Sequence, residues 1–445
     1  MKHIPYSETI KDNTPKITIY DAMMGSGKST KVIDLIKESD TAQKYIYITP
    51  ILSECHRVAG TTYSESDEYK RPTILDTATG TYEYQANAVL ASRNFRHPYF
   101  SRLGGKTQSL PKLIQNKENV VSTHALFTNL NQDILKGVGD YVLIIDEAIK
   151  VYEEYQELDE DHLKKALKNG WISLEEDGIT LQFNRDNFAL SQDDAETDVT
   201  EGTFYEHFAT LCDLRQLSLI DNKAVVWQLP IELLRAFKEV IICTYLFEGS
   251  LMSSYLKAHN LEYKIEKFGK KPSDIKHLIN IYDSKRKGNL NVIGDKDKAL
   301  CVSDFRKNKK VLTKELHKSL DSFFRGTCKA KQGERLWTTF KPYLDTVGTV
   351  RYSDEWLACN TKATNDYGHI SNVAYLVNLY PNPMLVKATS KRGHSINQEI
   401  YALSDMVQFI WRSAIRNGEP INLYIPSSRM RSLLQKWLAN EFETE

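Results

Sequence analysis

The stretch ITIYDAMMGSGKST, from Ile17 to Thr30, constrains the fold of this chain more than any other stretch. Its apolar first half predicts a strand that ends at Asp21, and the residues from Lys28 onward predict a helix. Glycines between the two allow a tight turn whose backbone amides face an anion at the helix N-terminus. A loop of this kind that ends in Lys-Ser predicts a phosphate-binding loop in an α/β protein with a parallel sheet. Ala22 stands where the usual pattern has its first glycine, a position that only starts the turn.

The residues of this loop have distinct expected roles in holding ATP and a magnesium ion. Lys28 is expected to reach the β- and γ-phosphates and the Ser29 hydroxyl to coordinate Mg²⁺, while the loop backbone surrounds the phosphates. The predicted nucleotide-binding residues are Met24, Gly25, Ser26, Gly27, Lys28, Ser29 and Thr30. The sequence therefore predicts ATP and Mg²⁺ as cofactors.

A second motif, VLIIDEA from Val142 to Ala148, is an apolar strand that ends in two carboxylates. Ligands of open parallel sheets bind at the carboxyl ends of the strands, so Asp146 and Glu147 are predicted to lie near the phosphate loop. Asp146 can hold the magnesium ion directly or through water, and Glu147 can orient and deprotonate the attacking water. Together the two motifs predict an enzyme that hydrolyses ATP.

Strand and helix patterns alternate along the first part of the chain, as in βαβ units. The predicted strands lie in ITIYDA, KYIYITP, KENVVSTHALF, DYVLIIDEA and FKEVIICTYLF, and a second series lies in HLINIYD, EWLACN, AYLVNLY and INLYIPS. Residues 58–110 and 151–229 interrupt the first series and are predicted to be insertions, partly helical and loop-like. We therefore predict two domains, residues 1–255 and residues 256–445.

Charge is distributed unevenly along the chain, although the formal net charge is zero. Residues 146–201 contain 17 Asp and Glu against 5 Lys and Arg, a balance of −12. Residues 264–331 contain 19 Lys and Arg against 8 Asp and Glu, a balance of +11. A single charge run is often only a solvated helix face, but a basic block of this length is typical of a surface for a polyanion.

The cysteine and hydropathy patterns favour a cytoplasmic protein. The six cysteines are scattered without a C-x-x-C pair, which favours reduced thiols over a zinc site or a disulfide framework. The polar N-terminal segment MKHIPYSETIKDN does not fit a signal peptide, and no run approaches the roughly 18 apolar residues of a membrane span. We therefore expect no membrane association.

Several segments resemble motifs of superfamily 2 helicases, in the same order along the chain. AMMGSGKS fits their first motif, A-x-x-G-x-G-K-[ST], and DEAI resembles their DEAD/DEAH box. YITPILSE and VVSTHALF are similar to segments that contact the nucleic-acid backbone, and IICTYLFEGS stands at the place of the Ser-Ala-Thr motif, of which Thr244 remains. The nucleic-acid contacts that the resemblance implies are Thr49, Pro50, Thr123, His124 and, in the segment WLACNTKATNDY, Asn360.

The segment QFIWRSAIRNG resembles the sixth helicase motif, Q-x-x-G-R-x-x-R. Gln408 and Arg412 match it, Trp411 replaces the glycine, and Arg416 stands one place late. On a helix, Arg412 and Arg416 would lie at i and i+4 and face the same cleft. The resemblance implies that arginines from the second domain stabilise charge on the γ-phosphate during hydrolysis, and from spacing alone a solvated or salt-bridged surface is the alternative.

The resemblance implies two tandem RecA-like domains with ATP in the cleft between them, and the flanking C-terminal residues resemble helicase-like proteins of tailed bacteriophages. The expected function is an ATP-dependent helicase or translocase on single-stranded or forked DNA, in phage replication, recombination or fork remodelling. We expect it to act as a monomer in the host cytoplasm, with replication or recombination proteins as possible partners. Two alternatives remain open: an ATP-dependent recruitment protein that unwinds little, and an RNA helicase of the same superfamily.

Overall fold

The fold is built on two parallel sheets, one of seven strands and one of four. In this computed structural model, the described residues are 10, 12–59, 89–98, 106–128, 130, 132–192, 199–283, 289–361 and 366–442. Most of the predicted insertion 58–110 therefore lies outside the described residues. Among those that are described, none of the helices combines the length and the apolar character that a membrane crossing requires.

The first sheet and the insertion within it take up the chain as far as residue 267. The strands in chain order are β1 (Lys16–Asp21), β2 (Lys44–Thr49), β3 (Phe95–Arg96), β4 (Asn119–Thr123), β5 (Tyr141–Asp146), β6 (Tyr152–Glu154), β7 (Ile172–Leu174), β8 (Leu181–Phe183), β9 (Leu217–Ile220), β10 (Ala224–Gln228), β11 (Glu239–Thr244) and β12 (Tyr263–Lys267). The helices are α1 (Lys28–Glu38), α2 (Leu52–Ala59), α3 (Lys106–Gln115), α4 (His124–Phe127), α5 (Gln132–Leu135), α6 (Glu160–Lys168), α7 (Arg185–Gln192), α8 (Val199–Asp213), α9 (Glu232–Arg235) and α10 (Leu251–Ala258).

The order of strands in the first sheet is β12-β1-β11-β5-β2-β4-β3, with every pair parallel. All six residues of β5 are buried, which explains its continuous apolar sequence. Leu143 and Ile145 belong to the apolar cluster on one face, and Val142 and Ile144 to the cluster on the other. Because β11 alone separates β1 from β5, the carboxyl ends of these three strands lie side by side, as the two sequence motifs predict.

Residues 151–229 form a separate unit with its own core. An antiparallel sheet of order β6-β10-β9 and the hairpin β7–β8 pack with helices around Trp171, Tyr205 and Phe208. The prediction of a partly helical, loop-like insertion missed these strands because each has only three to five residues, too few to show a clear alternation.

The second sheet has the order β13-β16-β15-β14 and is also fully parallel. Its strands are β13 (Ile279–Ile281), β14 (Arg335–Thr338), β15 (Asn372–Tyr375) and β16 (Ile421–Tyr424), and its helices are α11 (Val302–Asp321), α12 (Leu344–Tyr352), α13 (Pro383–Lys391), α14 (Gln398–Ile410) and α15 (Ser428–Leu438). The fold is therefore α/β, with parallel sheets flanked by helices, as the sequence predicts.

Two sequence expectations need correction. Strand β12 pairs with β1, so the first sheet extends past the predicted limit at residue 255, and the chain passes to the second sheet within residues 268–278. β12 is a half-exposed edge strand with a polar sequence. It lacks the apolar run of a buried strand, and the sequence analysis therefore included it in the basic block. The predicted strand EWLACN contributes only a single bridge, from Trp356 to Trp337, and the fourth strand is β14, whose Arg335 is paired with Glu355.

Candidate nucleotide site

The phosphate loop has the predicted geometry. β1 ends at Asp21 and α1 begins at Lys28. Gly25 has φ 73° and Gly27 has φ 81°, a region that residues with a Cβ rarely adopt. Gly27 caps the N-terminus of α1, and a Cβ on it would meet no atom within 4 Å. The loop therefore presents open space at the N-terminus of a helix, where an anion is stabilised.

The side chain of Lys28 folds back onto the loop. Its ammonium donates to the backbone carbonyl of Ala22 and to that of Met23, the latter at 3.2 Å. Burial lowers the pKa of Lys28, and the nearby carboxylates Asp146 and Asp21 oppose that shift. A cation held only by neutral carbonyls inside the loop is suited to exchange them for phosphate oxygens.

Asp146 and Ser29 meet across the sheet edge although they are 117 residues apart. The Ser29 hydroxyl lies 3.3 Å and 3.4 Å from the two carboxylate oxygens of Asp146. Tyr47, within β2, donates its hydroxyl to the same carboxylate at 2.8 Å. Burial raises the pKa of Asp146 to about 6, while the hydrogen bond from Tyr47 lowers it. Oxygen donors of this kind suit a magnesium ion that is also held by phosphates.

Glu147 follows Asp146 in a left-handed conformation with φ 60°. Its Oε2 atom is buried and has no hydrogen-bond partner among the described residues, and the same is true of the Nε atom of Arg412. The charge of Glu147 acts on Arg412, whose pKa is lowered by burial. Glu147 in the first domain and Arg412 in the second therefore carry opposite charges, interact electrostatically and each keep a buried polar atom without a partner among the described residues. Such atoms fit a site that a water molecule and a phosphate would complete.

The arginines of the sixth motif lie differently from the prediction. Helix α14 ends at Ile410, so Arg412 and Arg416 do not share a helix face, and the predicted i, i+4 relation is wrong. Arg412 is buried and donates to the carbonyl of Thr361, while Arg416 lies in a 3₁₀ turn, residues 414–417, close enough for its charge to act on Arg412. Trp411 is the C-cap residue of α14 and lies against Gly25. Gln408 lies on α14 and donates to Ser404 at 3.4 Å, so its role stays a prediction.

The predicted nucleic-acid contacts lie near this centre to different degrees. Thr49 is only 1% exposed, whereas Pro50 is half-buried. Thr123 caps α4. The Nε2 atom of His124 lies 2.9 Å from the backbone carbonyl oxygen of Asp146. Asn360 is exposed and directly precedes Thr361, the acceptor of Arg412. These contacts stay predictions, but His124 lies against the backbone of Asp146 and Asn360 is adjacent to the acceptor of Arg412.

Three residues of the site were not predicted from the sequence. Tyr47 supports Asp146, and Asp21 accepts the backbone N–H of Phe247 at 3.1 Å at the end of β1. Trp411 packs on Gly25: a Cβ on that glycine would lie 3.0 Å from Cζ2 of the indole. The replacement of a motif glycine by Trp411 was the one sequence signal for this contact, since a large residue there has to occupy space that the motif leaves open.

Comparisons with known proteins found a matching family model, a sequence relative and similar solved structures. Residues 273–438 match the family described as the YonV C-terminal Rossmann-like domain. The SPbeta prophage-derived uncharacterized protein YonV of Bacillus subtilis (strain 168) is 31% identical over 452 residues, covering 96% of this chain and 99% of the relative. Among solved structures, an XPD helicase has a TM-score of 0.44 at 14% identity, covering 96% of this chain and 90% of that one. S. tokodaii Xpd4 has a TM-score of 0.48 at 11% identity, covering 98% and 96%. The identity to the prophage protein thus extends over nearly the whole of both chains.

Proposed function

We propose that this chain, which belongs to the YonV family, is an ATP-dependent motor, a helicase or translocase that acts on single-stranded or forked DNA. The observation that supports the proposal is the meeting of two sheets at one centre. Ser29 and Asp146 lie within 3.4 Å of each other on the first sheet, and the charge of Glu147 there acts on Arg412 of the second. Hydrolysis at such a centre depends on how the two domains are placed relative to each other, and that dependence is what a motor requires.

The residues present fit ATP and Mg²⁺. The loop amides and Lys28 would hold the phosphates, and Ser29 and Asp146 would hold the metal ion, which neutralises charge on the phosphates when bound. Glu147 would orient a water molecule and accept its proton at the buried Oε2 atom. Arg412 would donate to the charge that develops on the transferred phosphoryl group, with Arg416 beside it.

The same residues give a route from hydrolysis to the nucleic acid. His124 contacts the backbone of Asp146, and Arg412 contacts the residue after Asn360. A change in the position of either hydrolytic group would therefore be felt at a candidate strand contact. On α11, the exposed side chains of Arg306 and Lys310 are four residues apart and belong to the basic block 264–331. We propose that this face holds phosphates, so binding should weaken steeply with salt.

The biological setting belongs to the same proposal. The prophage origin of the relative supports a role in phage DNA replication, recombination or fork remodelling. We propose that the chain acts as a monomer in the host cytoplasm, where replication or recombination proteins would be its partners.

The proposal is tested by ATP hydrolysis with and without single-stranded DNA, forked DNA, junctions and RNA. We expect single-stranded DNA to stimulate hydrolysis many-fold in the wild type and not in Lys28→Ala. Lys37→Ala, at the exposed end of the same helix, is the matched control and should hydrolyse ATP normally. Hydrolysis that ignores every nucleic acid would contradict the motor and favour a recruitment protein. Stronger stimulation by RNA than by DNA would favour an RNA helicase.

Variants of the second motif and of the second sheet test the assigned roles. Glu147→Gln should keep ATP binding and trap the ATP-bound protein on its strand, and normal turnover in this variant would remove Glu147 as the base. Arg412→Ala should bind ATP but lose hydrolysis by several orders of magnitude, as expected for a group that contacts the transferred phosphoryl. If Arg416→Ala is unaffected while Arg412→Ala is inactive, Arg412 alone fills that role.

A further inference from the structure

Trp411 joins the second domain to the phosphate loop of the first. It directly follows α14, is 8% exposed, and belongs to the same apolar cluster as Met23 of the loop. Gly25 is where the two meet: a Cβ on this glycine would lie 3.0 Å from Cζ2 and 3.4 Å from Nε1 of the indole. The polar edge of the indole is therefore against the loop.

The indole N–H of Trp411 has no hydrogen-bond partner within the described part of the chain, and this distinguishes it from most of the other tryptophans. The N–H groups of Trp227, Trp337, Trp356 and Trp437 donate to oxygen atoms at 2.9, 2.7, 3.2 and 2.7 Å respectively. Trp171 also has no partner, but it lies in the core of the insertion, remote from the loop. The Trp411 residue is 8% exposed, and the N–H at the edge of a largely buried indole normally finds an acceptor, so that of Trp411 is poised for one that binds at the loop.

The neighbouring residues indicate which part of a nucleotide would supply that acceptor. Arg412 follows Trp411 directly, and it senses the charge of Glu147, the residue placed to activate water against the terminal phosphate. Trp411 and Arg412 thus reach the same end of the site, from Gly25 on one side and from Glu147 on the other. A nucleoside triphosphate bound at the loop would bring the oxygens of its terminal phosphate to that end.

Plain packing is the alternative reading of Trp411, because large aromatic residues most often fill space. Packing alone explains the contact with Met23 and Gly25. Packing alone does not require the edge of the ring that carries Nε1, instead of an apolar edge, to face the loop.

We propose that the indole N–H of Trp411 donates a hydrogen bond to the terminal phosphate of the bound nucleotide. The second domain would then recognise a triphosphate at the loop and release it as a diphosphate. This inference rests on the proposed function only as far as nucleotide binding at the loop, and needs neither hydrolysis nor nucleic acid. It makes Trp411 a specificity-determining residue for the number of phosphates.

The test is a comparison of Trp411→Phe with the wild type in direct binding, by calorimetry, of a non-hydrolysable ATP analogue and of ADP in the presence of Mg²⁺. Phenylalanine keeps an aromatic ring against Gly25 but has no N–H. We expect the affinity for the triphosphate to fall about tenfold, the effect of losing one hydrogen bond to a charged group, with the affinity for ADP unchanged. Trp356→Phe is the matched control, since Trp356 already has an acceptor, and should leave both affinities unchanged.

Tryptophan fluorescence gives a second, independent readout. Binding of the ATP analogue should change the emission of the wild type and of Trp356→Phe, and that change should be absent from Trp411→Phe. Equal denaturation midpoints for the two variants would confirm that the fold is retained.

Three outcomes are decisive against the inference. If Trp411→Phe binds both nucleotides as the wild type does, Trp411 is a packing residue. If it loses both affinities equally, the indole does not distinguish the terminal phosphate. If the wild type binds neither nucleotide, the proposed function itself fails, and this is visible before any variant is compared.

Discussion

Two of the contacts between the domains differ in how completely their polar groups are satisfied. At the nucleotide side, Trp411 lies on Gly25, and among the described residues neither its N–H nor the buried Nε atom of Arg412 has a hydrogen-bond partner. At the insertion side, helix α13 of the second domain packs on the inserted unit. There, Leu385 and Ala388 are buried in the apolar cluster of the first domain, which includes Ile220 and Val226.

The polar groups around α13 are paired across the contact. Asp221 bonds to Lys387 and lies 3.3 Å from Lys391. Arg392 donates to the hydroxyl of Ser218 at 2.8 Å, and Asn382 donates to Glu154 at 2.6 Å. A contact whose polar groups are already paired offers no free hydrogen-bonding group to a ligand. A contact with unpaired donors can bind an anion, and binding then changes the contact. We therefore expect the contact of α13 with the inserted unit, which we call the pivot, to stay fixed. The contact at the nucleotide side is expected to change when a ligand binds.

The largest effect should come from a charge placed inside the pivot. Ala388 is 1% exposed, so Ala388→Asp would bury an unpaired carboxylate and lower the free energy of unfolding by about 3–5 kcal/mol. Urea denaturation measures this loss. Ser390→Asp, on the exposed face of the same helix, should cost under about 1 kcal/mol. Equal midpoints for the two variants would mean that α13 is not anchored.

A second effect on the pivot should depend on pH. Burial, together with the positive charges of Arg392 and Arg235, lowers the pKa of His259 to about 4. The folded protein therefore keeps His259 neutral while the unfolded chain takes up a proton below its ordinary pKa near 6.5. The resulting stability is complete above pH 6.5 and is lost as the pH falls towards 4, by roughly 2–3 kcal/mol.

Denaturation of the wild type and of His259→Gln at pH 7, 6, 5 and 4 isolates this contribution. The stability of the variant should decline less steeply between pH 6.5 and 4, because it lacks the titrating ring. Parallel declines would show that His259 is not held neutral at the contact.

At the nucleotide side, Tyr47→Phe should weaken the site without unfolding it. The variant removes a hydrogen-bond donor from the buried carboxylate of Asp146. We therefore expect nucleotide binding to require an about tenfold higher concentration of Mg²⁺. Titration of Mg²⁺ at fixed nucleotide measures the effect. Tyr45→Phe, two residues earlier on the same strand, is the control and should behave as the wild type. An unchanged Mg²⁺ requirement in Tyr47→Phe would separate Asp146 from the metal.

The smallest effect should come from the ion pairs at the rim of the pivot. Asp221→Asn removes the pairing with Lys387 and Lys391, whose side chains are about half and a third exposed, and should cost under about 1 kcal/mol. A double-mutant cycle with Lys387→Met at low and high salt measures the coupling. A coupling well above 1 kcal/mol, or one that salt does not change, would place the strength of the pivot in its charges instead of in Leu385 and Ala388.

The nucleotide side was largely predictable from the sequence, and the pivot was not. Ser29 and Asp146 could be assigned to one centre because each follows a strongly apolar strand, and the carboxyl ends of parallel strands meet at one edge. Helix α13 gave no such signal. Its sequence reads as an ordinary amphipathic helix, and nothing in it indicates that its apolar face packs on a unit more than 150 residues earlier in the chain.

The failures at the second sheet have the same cause. β14 has four residues and includes Arg335, whose buried guanidinium is satisfied by the carbonyl of Ala330 and by Glu355. The spacing of Arg412 and Arg416 suggested one helix face, but α14 ends at Ile410, where the chain turns to place Trp411 on Gly25. In each case a partner distant in sequence decides the local structure.

The sequence by itself determined the α/β class, the phosphate loop and the pair of carboxylates, because glycines with special backbone angles and continuous buried strands are encoded locally. Only the tertiary structure decided which groups of the second domain reach that loop, and where the second domain is anchored. Those contacts depend on the packing of apolar faces and on charges paired over long separations, and neither leaves a periodic pattern in the chain. Trp411 depends on both. The sequence shows that it replaces a motif glycine, and only the structure shows that it contacts Gly25.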